Sequence, residues 1–173
     1  MGRSQLDEAR QNLSARILTL SVRGANHIDK NTPCEDAALG STQSYKGNIF
    51  YFIAVADGHG GERYTLSEVG SFIALQAASE AVNRFMIFVV DSFERDPLNW
   101  VSAVEFDFSS RFPKMLASIW ARMVLDHASD PSGVTDEILK RYGTTISIAL
   151  VFKGHVFAGR IGDSPIYFVN ESD

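Results

Sequence analysis

Residues 49–61, Ile49-Phe50-Tyr51-Phe52-Ile53-Ala54-Val55-Ala56-Asp57-Gly58-His59-Gly60-Gly61, run from a dense apolar stretch straight into an acidic, glycine-rich turn. The apolar part ends at Ala56 and is flanked by Lys46-Gly47-Asn48 on one side and Asp57-Gly58 on the other. So short a run between two turn signals fits a largely buried strand rather than a helix. A carboxylate where such a strand ends is rigidly aimed, and the glycines let the backbone bend and approach a ligand closely.

Downstream of this turn the period changes. Leu66, Val69, Gly70, Ile73, Ala77, Ala81 and Phe85 fall at helical spacing, with Glu68, Gln76, Glu80 and Arg84 on the other side. A second helical stripe after Pro113 carries Leu116, Ile119, Trp120, Met123 and His127, and Asp130-Pro131-Ser132-Gly133 closes it. Between the two, Asp91 to Asp107 is mixed, with a break at Asp96-Pro97. Strand character returns from Thr144 to Phe152. The turn signal Lys153-Gly154 leads to a partner strand from His155 to Ile161, and Ile166 to Val169 reads as a further strand. Upstream, Arg16 to Val22 alternates and also reads as a strand. Strands, two long helices, then strands predict an α+β fold with a mostly antiparallel sheet.

Composition narrows the classes. Hydrophobic residues make up 45% and charged residues 21% of the 173, the balance of an ordinary globular domain. A formal net charge of −5 argues against nucleic acid or anionic lipid as a partner. Cys34 is the only cysteine, which rules out a disulfide framework and a thiolate metal cluster. The polar N-terminus lacks a signal-type apolar region. Leu6 stands where a myristoylation signal needs Ser or Thr, and the apolar runs look short for a membrane helix. The expected compartment is the cytoplasm, with no membrane partner; nothing in the sequence defines an oligomeric state.

Three acidic turns carry the chemistry. Asp57 and the Gly58 carbonyl offer oxygen ligands of the kind Mg²⁺ and Mn²⁺ prefer, and His59 beside them is a candidate proton donor. The plain alternative is a turn in which Asp57 caps the next helix. Glu35-Asp36 is a second acidic site, where adjacent carboxylates repel unless a cation stabilises them; a solvated loop pair is its plain alternative. Asp163, between Gly162 and Ser164, repeats the carboxylate on a sharp turn, or forms an ordinary Asx-turn.

Taken together, Cys34-Glu35-Asp36-Ala37, Val55-Ala56-Asp57-Gly58-His59-Gly60-Gly61, Gly143-Thr144-Thr145 and Gly162-Asp163-Ser164 closely resemble, in order and spacing, the metal-dependent (type 2C) Ser/Thr protein phosphatases. The resemblance covers roughly Leu18 to Val169. It implies an α-β-β-α sandwich over residues 16–173, after an N-terminal extension of residues 1–15, with the metal centre at one end. It also implies hydrolysis of phosphoserine and phosphothreonine in a phosphoprotein substrate by water activated between two Mn²⁺ or Mg²⁺ ions. By that likeness Asp57 and Gly58 are metal ligands, a carboxylate of Glu35-Asp36 reaches the second ion, Asp163 helps hold a third, and His59 is the acid for the leaving alkoxide.

Two departures qualify the likeness. Asn31 stands where the family usually has a phosphate-binding arginine, so Lys30 or Arg23 is the candidate substitute, with Arg63 a further one; lysine offers charge without the bidentate fork. The family's two remaining metal-binding aspartates would lie beyond Asp173, which makes the expected domain incomplete at its C-terminus and the chain alone of little or no activity. The competing readings are a non-catalytic phosphatase-like binding module and a phosphatase of small phosphoesters.

Overall fold

The computed structural model describes residues 15–29, 31, 33–129 and 136–169. The elements in chain order are α1 (Ala25–Asp29), β1 (Asp36–Tyr45), β2 (Asn48–Asp57), α2 (Ser67–Arg95), α3 (Trp100–Ser110), α4 (Phe112–Ala128), α5 (Asp136–Arg141), β3 (Ile146–Phe152) and β4 (His155–Ile161). The four strands form one antiparallel sheet in the order β1-β2-β3-β4. This is the α+β class predicted from the sequence.

Two hairpins and one long excursion explain that order. Both hairpins turn on Lys-Gly pairs with positive φ at each residue, Lys46 and Gly47 for β1–β2, Lys153 and Gly154 for β3–β4. Such turns match the twist of the paired strands. The helices intervene between β2 and β3, which then pair from Phe50↔Phe152 to Val55↔Ser147. Lys46 also donates to Asp91 and Glu94, at 2.8 and 3.2 Å, and so ties the first hairpin to α2.

Alternation along β2 sends Phe50, Phe52, Ala54 and Ala56 to one face, where they are buried with Ile146, Ile148, Leu150 and Phe152 of β3. Against them lie Ala74, Ala77, Ala78, Ala81, Val82, Phe85 and Met86 of α2, with Val104 and Phe108 of α3 and Leu116 and Ile119 of α4. The small residues let α2 lie close to the sheet. Near its start, Gly70 leaves no room for a Cβ, which would overlap the Tyr142 carbonyl. By length and composition α2 is apolar enough to cross a membrane, contrary to the expectation of short apolar runs, but most of its apolar stretch is buried in the domain. It is a core helix.

The opposite face of the sheet is apolar and open, with Ile49, Ile53, Val55 and Val156 all exposed. The described residues thus build one sheet with helices on one side; the second sheet of the expected sandwich is not among them. Two segments read as strands are not strands. Residues 15–24 run as irregular chain over the open face, with Ile17 and Thr19 against Gly40, and residues 164–169 leave β4 with Tyr167, Phe168 and Val169 exposed. Their alternation is real, but neither has a ladder partner among the described residues. Conversely, β1 and α3 were not anticipated. The second long helix ends at Ser129 in the left-handed conformation (φ 50°), and the predicted stop at Asp130 to Gly133 lies outside the described residues.

Candidate functional site

Strand pairing assembles the site. Asp36 begins β1 and Asp57 ends β2, and the two are register partners at the end of the ladder. Their carboxyl groups come within hydrogen-bonding reach. Desolvation pushes the Asp57 pKa above the ordinary carboxylate value, and the hydrogen bond with Asp36 and the charges of Asp36 and Asp163 push the same way; His59 acts weakly against them. All three carboxylate residues are exposed at the chain's surface. A shallow cavity of about 330 Å³ opens beside the pair, lined also by Val55, Ser164, Pro165 and residues Leu20 to Val22. A hollow of about 240 Å³ elsewhere, between α3, α4 and the β3–β4 hairpin, is lined chiefly by Phe108, Phe112, Leu116 and Ile148 and holds no carboxylate.

The glycine turn is clamped from both sides. Gly58 N–H donates to the Glu35 carbonyl at 3.1 Å, and a Cβ on Gly58 would stand 2.6 Å from that oxygen. Only glycine fits there. On the other side His59 N–H donates to the Gly143 carbonyl (3.0 Å) and Thr145 N–H to the Asp57 carbonyl (2.8 Å). This bridge uses Asp57 and His59, so it leaves the Gly58 carbonyl unconsumed. The exposed His59 ring leans on Tyr64, centroids 4.9 Å apart.

The structure separates the two carboxylates that sequence left equivalent. Asp36 faces Asp57. Glu35 points the other way: its Oε1 accepts a 2.9 Å hydrogen bond from the hydroxyl of buried Ser67, and its Oε2 lies under Gly60. Asp163 sits just past β4 on a turn opened by Gly162 (φ +103°), and its carbonyl accepts from Arg160. Arg23 donates to the His27 carbonyl and so braces α1, with no described contact to the acidic cluster. Lys30 lies outside the described residues, and Arg63 is exposed on the turn after Gly61.

Several contributors had no sequence signal. Ser67 and Tyr64 reach the site through helix and turn placement, and Ser147 reaches it through a contact with Ser164 across the sheet. Ser164 belongs to the Gly162-Asp163-Ser164 motif, in which the aspartate is the residue with metal-binding chemistry.

The donor chemistry suits a hard divalent cation: two facing carboxylates, Asp57 with raised proton affinity, a third negative charge nearby, and the Gly58 carbonyl. The set is partial. Among the described residues no three His, Cys, Asp or Glu side chains converge into a metal cage.

An antiparallel sheet backed by helices thus carries Asp36 and Asp57 at its strand ends, with Asp163 just past β4. The chain belongs to the Protein phosphatase 2C family, whose model matches residues 23–173. Members of that family are phosphatases that generally depend on Mn²⁺ or Mg²⁺. No curated protein and no solved structure matches the chain.

Proposed function

We propose that this domain hydrolyses phosphoserine and phosphothreonine in a protein substrate with Mn²⁺ or Mg²⁺ as cofactor. The observation that carries the reading is the Asp36–Asp57 pair with the Asp163 charge beside it. Asp57, Asp36 and the Gly58 carbonyl would hold the cation, and Asp163 would help hold a weaker one. A bound divalent ion supplies Lewis acidity and neutralises charge on the phosphoryl oxygens. His59, exposed and steadied by Tyr64, holds the proton for the departing alkoxide. The proposed compartment is the cytoplasm.

A second reading, a non-catalytic module that binds a partner, draws on the partial ligand set. Mn²⁺ binding and turnover of a phosphothreonine peptide separate the two, measured on this chain and on any longer natural form containing it. Turnover that needs Mn²⁺ and disappears in Asp57→Asn supports the enzyme. Mn²⁺ binding without turnover in every form favours the module, and turnover of small phosphoesters alone moves the substrate away from proteins. Turnover unaffected by Asp57→Asn sinks the mechanism.

A further inference from the structure

The motif Gly143-Thr144-Thr145 has no ionisable group, yet it lies between the Asp57 and Asp163 turns and touches both. Thr145 is buried. Its N–H donates to the Asp57 carbonyl at 2.8 Å, and the Thr144 hydroxyl reaches the same carbonyl at 3.0 Å. The Thr145 hydroxyl shares a 2.7 Å hydrogen bond with the Ser164 hydroxyl, next to Asp163. Its Cβ and Cγ2 fill the space over Gly162, where an added Cβ would stand 2.6 Å from Cγ2. Two residues along, the Ser147 hydroxyl donates to the Ser164 carbonyl at 2.8 Å. Both flanks of Asp163 are therefore seated on the start of β3, while the same residue grips the Asp57 backbone.

We infer that Thr145 is a positioning residue that fixes the Asp163 turn against Asp57 through its hydroxyl bond to Ser164. The inference rests on the metal-phosphatase reading for its consequence but not for its geometry. Asp57 is paired with Asp36 at the end of the β1–β2 ladder, whereas Asp163 lies past the end of β4, so its separation from Asp57 is set by what the 162–164 turn is anchored to. Thr145 is that shared anchor. Hydrogen-bonded groups behind a ligand commonly change metal affinity by roughly 10- to 100-fold when removed.

The test compares Thr145→Val, which keeps the shape over Gly162 and loses the hydroxyl, with Thr145→Ser, which keeps the hydroxyl, and with Ser164→Ala. In the metal-free chain, amide NMR signals of residues 162–164 should shift in Thr145→Val and Ser164→Ala and stay near wild type in Thr145→Ser. Unmoved signals overturn the tether. In a Mn²⁺ titration, Thr145→Val should weaken the Asp163-dependent ion by roughly 10- to 100-fold, with Thr145→Ser rescuing it. Adding Thr145→Val to Asp163→Asn should then cost no further affinity. Wild-type Mn²⁺ binding in a folded Thr145→Val chain overturns the positioning role while leaving the phosphatase reading intact. Shifted amides in the variants, with no Mn²⁺ binding by the wild-type chain or by any longer natural form containing it, uphold the tether and overturn that reading instead.

Discussion

The carboxyl groups of Asp36 and Asp57 meet within hydrogen-bonding reach at the end of the β1–β2 ladder, as register partners. Such a contact needs a proton between them, so the folded, metal-free chain holds its Asp57 proton more tightly than the unfolded chain does. The sign follows from linkage: a carboxyl whose folded pKa is raised contributes stability below its unfolded pKa, about 4, and that stability is lost as pH rises through the folded value. With chelator present, the Asp57 contribution to unfolding free energy should fall as pH climbs out of the carboxylate range. Asp57→Asn should remove that fall and leave the metal-free protein more stable at neutral pH. Denaturant unfolding at a series of pH values checks it; an Asn variant less stable than wild type at pH 7 contradicts it.

Asp36 and Glu35 should separate on mutation. Asp36→Asn is expected to weaken Mn²⁺ binding more than Glu35→Gln does, since Asp36 faces Asp57 while Glu35 is engaged by Ser67. Ser67→Ala should instead destabilise by about 1–3 kcal/mol, the usual range for losing a hydrogen bond to a charged, partly buried partner. Calorimetric Mn²⁺ titration and chemical unfolding read the two effects. Equal loss of Mn²⁺ affinity in both acidic variants would show that both carboxylates serve the cation.

Gly70→Ala should be costly although it raises helix propensity. The new methyl would overlap the Tyr142 carbonyl, where α2 passes the end of α5. Overpacking of this kind costs about 1–3 kcal/mol, against a propensity gain of about 1 kcal/mol, so net destabilisation is expected. A thermal midpoint at or above wild type would mean that α2 can move away from Tyr142.

Phe52→Ala removes a ring from the centre of the helix-facing side of β2, where the side chain is 1% exposed. The expected loss is about 3–5 kcal/mol. By contrast Ile53→Thr, one residue on and facing the open side, should cost far less, since Ile53 is 40% exposed. Similar losses at the two positions would show that the open face is covered in solution.

Much of this architecture was readable because hydrophobic period survives in single sequences. The β2 run, the α2 and α4 stripes and the β3–β4 hairpin all stand near where the pattern put them. Strand β1 was missed because Ser41 and Gln43 occupy its helix-facing side and Gly40 and Thr42 the other, so its two faces barely differ in polarity. A signal was nonetheless present: Lys46-Gly47 is the same turn as Lys153-Gly154. Helix α3 was obscured by Asp107, buried yet paired with Arg111 across one helical turn. Residues 16–22 and 166–169 alternate as strands do, but alternation cannot supply a hydrogen-bonding neighbour. At the site, Asp57 and its glycines were legible from local chemistry. Which of Glu35 and Asp36 faces Asp57 depends on register, and register is a long-range fact.

That long-range character has a kinetic side. The Asp57 carbonyl is gripped by Thr144, 87 positions further along the chain, after the whole helical layer has been threaded between them. Closing so wide a loop is slow and entropically costly, and nothing rewards it until α2 has docked on the sheet. The β1–β2 hairpin can form early on local contacts, carrying Asp36 and Asp57 with it, yet the clamp around Gly58 must wait for β3. On that order of events the acidic turn would acquire its native geometry late, once β3 has closed on β2.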